Sequence, residues 1–297
     1  MSTTTTCANC GKGGESSGNL KACMACKMVK YCNRDCQIAH RPQHKKACKK
    51  RASELHEEAL FTESPPPEDC PICFLPLSLD TRESTFKSCC GKLVCLGCVH
   101  AMIEERGEEE ESAYCPFCRT PQANSNEEEI ERTEKLMENG NANAFYVLAG
   151  LYLEGTHGVV QDLAKACELY LKAGELGYAN GYYCLGNAYR EGRGVELDTK
   201  KARHYYELGA MKGCAIARNN LGSLEGISGN HRQAMKHCMI SASAGFTQSL
   251  NVVKVGFKEG YVTKEEYEST LCAHNKWQDE IKSDMRDRAL ALRNIQG

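Results

Sequence analysis

"FYVLAGLYLEGTHGVVQDLAKACELYLKAGELG", residues 145–177, recurs in altered form as "YYCLGNAYREGRGVELDTKKARHYYELGAMKG" at residues 182–213. The shared residues keep a constant step of 36 positions, for example from Gly158 to Gly194. A fixed period of this length is typical of stacked supersecondary units that bury a common core. Each unit is predicted to form two helices with a glycine turn, so the back half of the chain is predicted to be a helical array.

Two further copies extend the array. A shorter third copy ends near Gly245, and a weaker fourth reads SLNVVKVGFKEGYVTKEEY at residues 249–267. Small residues such as Ala166 and Ala202 allow neighbouring helices to approach closely. The pattern closely resembles the Sel-1-like repeat, a relative of the tetratricopeptide repeat, over residues 142–267. The resemblance implies a curved solenoid that scaffolds protein complexes.

The rest of the chain divides at stretches of linker composition. Two cysteine-rich modules are predicted at 1–50 and 70–119, joined by a linker at 51–69 that contains ESPPPED. Residues 120–141 are predicted as a second linker and a capping helix. Residues 268–297 are predicted as one long polar helix that caps the other end of the array.

The overall composition excludes several classes of function. The chain has 297 residues, 41% of them hydrophobic, and a formal net charge of −2, so it is no generic polyanion binder. It contains no run of about 18 apolar residues for a membrane span. The opening MSTTTTCANCGKGG lacks the apolar core of a signal peptide. We therefore expect an intracellular protein, cytoplasmic or nuclear, without a membrane partner.

The cysteines are concentrated in the front of the chain. Of 20 cysteines, 15 lie at or before Cys118 and only 5 follow it. In a reducing compartment, clustered Cys-x-x-Cys pairs indicate metal sites rather than disulfides. The later cysteines lack metal-ligand spacing and are predicted to be buried in the helical array: Cys167, Cys184, Cys214, Cys238 and Cys272.

The first module contains eight candidate ligands, enough for two closed tetrahedral zinc sites. Cys32 and Cys36 are four residues apart, as on one helix face. The candidates are Cys7, Cys10, Cys23, Cys26, Cys32, Cys36, His44 and Cys48. His40 is an alternative to His44.

The stretch KYCNRDCQIAHRPQHKKAC strongly resembles a MYND finger, a protein-interaction module that often binds proline-containing peptides. The resemblance implies interleaved sites, with Cys7, Cys10, Cys32 and Cys36 on one zinc ion and Cys23, Cys26, His44 and Cys48 on the other. This chain departs from the family at Arg41, where tryptophan is usual, and in its long, glycine-rich loop between Cys10 and Cys23.

The second module contains three Cys-x-x-Cys knuckles and one adjacent pair, which leaves no cysteine over. Eight thiolates again fit two zinc ions. The candidates are Cys70, Cys73, Cys89, Cys90, Cys95, Cys98, Cys115 and Cys118.

The order of these cysteines resembles an all-cysteine RING domain. Lys92 stands where most RING domains have a histidine ligand, and a protonated lysine is a poor zinc ligand. The resemblance implies one site of Cys70, Cys73, Cys95 and Cys98 and another of Cys89, Cys90, Cys115 and Cys118. His100 is a conceivable but unneeded ligand.

RING domains act as ubiquitin ligases by docking a ubiquitin-conjugating enzyme and restraining its thioester-linked ubiquitin. The resemblance places docking contacts at Ile72 and Pro116 and a hydrogen-bonding cation at Arg119. The alternative is that Ile72 and Pro116 fill knuckle turns and that Arg119 is an exposed charge. The helix after Cys98, VHAMIEERGEEEE, lacks the tryptophan of many active RING domains; Met102 or Ile103 could replace it.

The combined interpretation is a mainly α protein, with two small cross-braced zinc-finger modules followed by an α-solenoid. The expected cofactor is Zn²⁺, four ions in all, and no catalytic residue of its own is predicted. Expected partners are other proteins, including a ubiquitin-conjugating enzyme and a peptide ligand of the MYND finger. Nucleic acid is not expected, since the basic stretch at 41–51 is better explained as a solvated helix end.

Two functions stay open at this point. The first is an adaptor that acts as a RING-type ubiquitin ligase and recruits substrate through its repeats and MYND finger. The second is a non-catalytic scaffold that uses both zinc modules and the repeats as binding surfaces. Ile72, Pro116 and Arg119 favour the ligase, and the missing tryptophan favours the scaffold.

Overall fold

The chain forms two compact units, one ending at Thr62 and the other beginning at the next residue. The computed structural model describes residues 6–13, 20–62, 65–106 and 114–296. Residues 14–19 of the loop between Cys10 and Cys23 and the acidic run at 107–113 lie outside the described residues. So do the first two residues of ESPPPED.

The first unit consists of a short antiparallel strand pair and one long helix. Strand β1 (Lys21–Ala22) pairs with β2 (Lys30–Tyr31), and helix α1 spans Arg34–Leu60. The side chain of Asn33 caps α1, because its Oδ1 accepts a hydrogen bond from the Cys36 amide at 2.9 Å. Cys32 therefore precedes the helix, and the prediction that it shares a helix face with Cys36 is wrong.

Helix α1 extends into the segment predicted as a linker. Residues 51–60 continue the helix to Leu60. The Arg51 guanidinium donates hydrogen bonds to Glu54 at 3.1 Å and to Glu58 at 2.8 Å, one and two turns farther on. Charged pairs at this spacing stabilise an exposed helix, so the polar composition of 51–60 belongs to a solvated helix.

The second unit begins with a small module around a β-hairpin. A 3₁₀ turn (Thr81–Glu83) leads into β3 (Ser84–Lys87), which pairs antiparallel with β4 (Lys92–Cys95); helix α2 (Leu96–Arg106) follows. The register pairs Ser84 with Cys95 and Lys87 with Lys92. The core of this module consists of Cys70, Leu77, Val94, Cys95 and Cys98.

A mainly helical array completes the second unit, as predicted. Its helices are α3 (Asn126–Glu138), α4 (Ala142–Glu154), α5 (Leu163–Glu175), α6 (Ala179–Glu191), α7 (Thr199–Met211), α8 (Ala215–Ile227), α9 (His231–Ser243), α10 (Thr247–Lys258), α11 (Lys264–Glu280) and α12 (Asp284–Gln296). From α4 to α11, each helix packs against the next one in the chain. The recurring sequence unit is therefore a helix pair.

The repeated residues have recurring structural roles. Asp162 and Asp198, which share the step of 36, cap the second helix of their pairs through hydrogen bonds from the amides of Lys165 and Lys201. The side chains of Ala166 and Ala202 are fully buried, as expected for closely packed helices. The sequence period thus records both helix starts and helix contacts.

The C-terminal end consists of two helices rather than the single helix predicted over 268–297. Helix α11 begins at a capping box of Thr263 and Glu266 and ends at Glu280. Helix α12 then begins, with the Ser283 hydroxyl accepting a hydrogen bond from the Arg286 amide at 3.3 Å. A serine cap followed by Asp284 in the first turn is a helix-start signal, and it divides the polar stretch into two helices.

Candidate metal centres

Four Cys-x-x-Cys knuckles adopt the same tight turn. In each, the amide of the residue after the second cysteine donates a hydrogen bond to the carbonyl of the first, at 2.9–3.0 Å. That residue has a positive φ, a backbone conformation that turns the chain back sharply. The four residues and their φ angles are Gly11 (68°), Lys27 (55°), Phe74 (57°) and Arg119 (61°).

The first unit brings its eight predicted donors together in the two interleaved sets. In the first set, the Cys32 sulfur lies 3.7 Å from that of Cys10 and 3.4 Å from that of Cys36. In the second set, the sulfurs of Cys23 and Cys48 are 3.7 Å apart, and the Cys26 sulfur lies 3.2 Å from Nε2 of His44.

His40 lies beside this second set without joining it. Its Nδ1 is 3.0 Å from the Tyr31 hydroxyl. Its ring stacks on that of His44, with centroids 5.6 Å apart. His40 thus contacts a candidate ligand, whereas His44 supplies the donor atom of the set.

The second unit brings its eight cysteines together in the two predicted sets. In one set, sulfur separations are 3.8 Å for Cys70–Cys98 and 3.8 Å for Cys73–Cys95. In the other, they are 3.9 Å for Cys90–Cys115 and 3.4 Å for Cys89–Cys118. Both members of the adjacent pair therefore belong to one set. His100 belongs to no donor set among the described residues, and Lys92 is exposed.

These separations fit tetrahedral zinc. With Zn–S bonds of about 2.3 Å, two sulfurs on one zinc ion lie about 3.8 Å apart, whereas a disulfide needs about 2.05 Å. Within each set, all donor atoms lie within 4.8 Å of one another. The residues therefore fit the ion, and binding of four zinc ions stays a prediction.

The clustered thiols shift one another's pKa values. A hydrogen bond with the Cys95 side chain, aided by backbone amides, lowers the pKa of Cys70 to about 4. Burial, with the nearby Cys70 and Cys73 thiols, raises the pKa of Cys98 to about 12. Four thiols this close oppose one another's ionisation unless a positive charge lies among them, and a zinc ion would supply that charge.

The three predicted docking residues lie at the knuckles of the second module. Ile72 is half-buried and packs against the module core. Pro116 is half-buried, whereas Arg119 is exposed. Ile72 thus has a structural role beside the one predicted, and partner binding by all three stays a prediction.

The five later cysteines join no donor set in the part of the chain that the structure describes. Cys167, Cys214 and Cys238 are buried and Cys184 is half-buried. Burial raises the pKa of Cys238 to about 11, which keeps it a thiol at neutral pH. Cys272 is exposed, so the prediction of burial is wrong for this residue.

Family comparisons agree with the first module and with the array. Residues 7–48 match the family model of the MYND finger, and residues 143–178, 179–214 and 215–246 match that of the Sel1 repeat. The chain contains a MYND finger and three Sel1 repeats. The MYND match indicates zinc binding in the first unit. Neither match covers residues 70–118, so the RING resemblance there rests on the cysteine order and the two donor sets.

Two curated relatives match about a third of the chain. The putative sel1-like repeat-containing protein L21 of Acanthamoeba polyphaga mimivirus is 30% identical over 96 residues, which cover 32% of this chain and 16% of that protein. The chitin synthase regulator SKT5 of Saccharomyces cerevisiae is 32% identical over 116 residues, which cover 36% of this chain and 17% of that protein. The chain thus spans only a small part of the length of both relatives.

Two solved structures are similar to about half of the chain. A Sel1 repeat protein from Oxalobacter formigenes has a TM-score of 0.43 and 26% identity, covering 55% of this chain and 64% of that one. The protective antigen c5321 of uropathogenic Escherichia coli, which has an SLR fold, has a TM-score of 0.42 and 27% identity, covering 51% and 32%.

The described residues include no helix that is both long and apolar enough to cross a membrane.

Proposed function

We propose that this protein is a zinc-binding adaptor that brings other proteins together through its MYND finger, its RING-like module and its Sel1 repeats. The observation that carries the proposal is the presence, in one chain, of four compact donor sets and an array of packed helix pairs. Closed four-ligand sets are structural rather than catalytic, because they leave no open position for a substrate. Stacked helix pairs offer extended surfaces for binding.

We further propose that the RING-like module acts as a ubiquitin ligase on the proteins that the adaptor binds. Arg119 supports this proposal, since its side chain is exposed directly after the last cysteine of the fourth set. From there its guanidinium could hydrogen-bond both a conjugating enzyme and its ubiquitin, and so restrain the thioester. Such restraint accelerates transfer without any nucleophile from the module itself.

Helix α12 contacts one side of helix α2, and Met102 and Ile103 of α2 are both half-buried. Helix α12 approaches α2 at Gly97, and Arg288 of α12 lies 3.4 Å from Glu104. Gly97 and Glu104 are about two turns apart and so share one side of α2, whereas Met102 and Ile103 point to the opposite half. Met102 and Ile103 therefore remain candidates for the apolar contact that tryptophan makes in many RING domains.

The test is single-turnover discharge of ubiquitin from loaded conjugating enzymes onto free lysine. We expect the protein to accelerate discharge with at least one enzyme of a broad panel. Arg119→Ala should slow discharge about tenfold or more while binding of the enzyme is nearly unchanged, because only the reactive geometry is lost. Alanine is preferable to glycine here, since it keeps the strain of the positive φ at this position.

Two matched variants complete the experiment. Ile72→Ala should weaken binding of the conjugating enzyme, because apolar contact area is lost. Lys92→Ala, an exposed cation of the same module, should leave discharge unchanged. Zinc content is measured for every variant, so that loss of a metal site is not mistaken for loss of docking.

A non-catalytic scaffold is the second candidate, supported by the packing of Ile72 into the module core. If the protein accelerates ubiquitin discharge from no enzyme in the panel, the protein functions as a scaffold. If discharge is accelerated and Arg119→Ala is as fast as the wild type, the ligase acts by another mechanism.

A further inference from the structure

Helix α12 passes unusually close to helix α2. A Cβ atom added at Gly97 of α2 would lie 2.8 Å from both the backbone nitrogen and the Cγ of Arg286 in α12. Separations below 3 Å are shorter than real Cβ contacts, so only glycine allows this approach. The approach brings a side chain from the end of the chain to the first knuckle of the RING-like module.

The Arg286 guanidinium binds this knuckle directly. Its Nη1 donates a hydrogen bond to the carbonyl oxygen of Pro76 at 2.7 Å, and its Nη2 donates to that of Leu75 at 3.2 Å. Nη2 also lies 3.5 Å from the sulfur of Cys73, within hydrogen-bonding distance for sulfur. Nη1 donates a second hydrogen bond, at 2.9 Å, to the carbonyl of Ile281, the C-cap residue of helix α11.

This contact distinguishes one donor set from the other three. In the described part of the chain, Arg286 is the only arginine or lysine whose side chain donates a hydrogen bond to a sulfur of any donor set. The fourth set, of Cys89, Cys90, Cys115 and Cys118, instead has a bond between the Cys118 thiol and the Thr120 hydroxyl, at 3.2 Å.

The negative charge of a zinc site with four cysteines makes the contact between Arg286 and the Cys73 sulfur favourable. Four thiolates around Zn²⁺ leave a net charge of about −2. A guanidinium that donates to a ligand sulfur offsets part of that charge and strengthens the site from its outer shell. The carbonyl contacts alone would only tie α12 to the knuckle, whereas the contact with the sulfur also connects α12 to the metal.

We propose that Arg286 is an outer-shell partner of a zinc ion held by Cys70, Cys73, Cys95 and Cys98, so that zinc binding by this set and docking of α12 stabilise each other. The proposal rests on zinc occupancy of this set and is independent of ligase activity. Because such coupling is reciprocal, it can be measured from both sides.

The first measurement is the release of zinc from the full-length protein to an excess of a chromogenic chelator. Loss of an outer-shell partner usually lowers metal affinity about 10- to 100-fold, so we expect Arg286→Gln to release one of the four ions faster by up to about that factor. Arg286→Lys keeps the positive charge, so its rate of zinc release should lie between those of the wild type and Arg286→Gln. Arg288→Gln removes only an exposed ion pair with Glu104, which contributes little to docking, and should change zinc release far less than Arg286→Gln.

The second measurement is hydrogen exchange of residues 284–293. Cys98→Ser weakens the set that contacts Arg286 and should raise exchange in this segment. Cys118→Ser weakens the fourth set, for which the structure gives no contact with Arg286, and should leave exchange there much closer to the wild-type rate. Comparison of the two cysteine variants also shows whether faster exchange in α12 results from unfolding of the whole RING-like module.

Several results would overturn the proposal. They are wild-type release kinetics in Arg286→Gln, faster release of all four ions together, or equal exchange of α12 in the two cysteine variants. The proposal requires zinc in this set, so wild-type protein that lacks this ion would also overturn it. Measurement of the metal content tests this requirement independently of any discharge assay.

Discussion

At the scale of single residues, equivalent positions of the repeat have unequal surroundings. Gly158 and Gly194 both have positive φ, at 84° and 74°. A Cβ at Gly158 would meet nothing within 4 Å, whereas one at Gly194 would lie 2.3 Å from the carbonyl oxygen of Leu163. Gly158 is thus required only by its backbone conformation, whereas the equivalent Gly194 is required by both its conformation and the close approach of Leu163.

The pair makes a matched stability experiment. We expect Gly158→Ala to lower the free energy of unfolding of the array by about 1 kcal/mol, the cost of a side chain in the left-handed region. Gly194→Ala should cost about 1–3 kcal/mol more, because the Leu163 backbone must also shift. Urea unfolding followed by far-ultraviolet circular dichroism measures both. Equal losses of unfolding free energy in the two variants would show that the Leu163 backbone can shift at no measurable cost.

At the scale of elements, the β3–β4 hairpin explains how adjacent cysteines can serve one site. The amides of Cys90 and Gly91 both donate to the carbonyl of Lys87, at 3.2 and 2.7 Å, which closes the turn between the strands. Gly91 has a φ of 70°. The tight turn presents the sulfurs of Cys89 and Cys90 to the same pair of knuckle cysteines, while Lys92 lies exposed in β4.

The hairpin predicts different outcomes for two nearby substitutions. Cys90→Ser should lower the zinc content from four ions per chain to about three, because a serine hydroxyl is a much poorer zinc ligand than a thiolate. Lys92→Ala should keep all four. Elemental analysis of purified protein, without prior chelation, measures both. Full zinc content in Cys90→Ser together with a loss in Lys92→Ala would refute this ligand assignment.

At the scale of the whole molecule, the two kinds of core differ in what holds them together. The array buries apolar side chains such as Leu148, Tyr170 and Leu185 in a shared core. The core of the RING-like module is built largely of its own candidate ligands, Cys70, Cys95 and Cys98, with Leu77 and Val94. Small metal modules of this kind derive much of their folding energy from the ion.

Zinc removal should therefore affect the molecule unevenly. With a strong chelator, we expect hydrogen exchange to rise throughout residues 20–48 and 70–106, while helices α4–α10 stay protected by their apolar core. Helix α12 should lose protection with the RING-like module rather than stay with the array. Segment-resolved hydrogen exchange measures this, and a uniform loss of protection would contradict the separation of the two cores.

Several helix ends were predictable from local residues, although not all were predicted. The Ser283 cap followed by Asp284 marks a helix start that the single-helix prediction missed, and Asn33 likewise marks the start of α1 after Cys32. Residues 51–60 are helical although a linker is predicted there, because a charged, solvated helix has the same composition as a linker.

The sequence by itself determined the helical array and the cysteine pairs of the knuckles, whereas the combination of those pairs into four sets was implied by the family resemblances. A constant period records contacts between neighbouring repeats, and the knuckle spacing records a turn that is closed within a few residues, so both are local properties of the chain. Only the tertiary structure decided that α12 docks on the RING-like module. Arg286 and Cys73 are 213 residues apart, and no period or motif connects an arginine in a polar helix to one particular sulfur. That contact exists because Gly97 lets two distant helices approach, and a glycine gives no indication in the sequence of which helix will use the space.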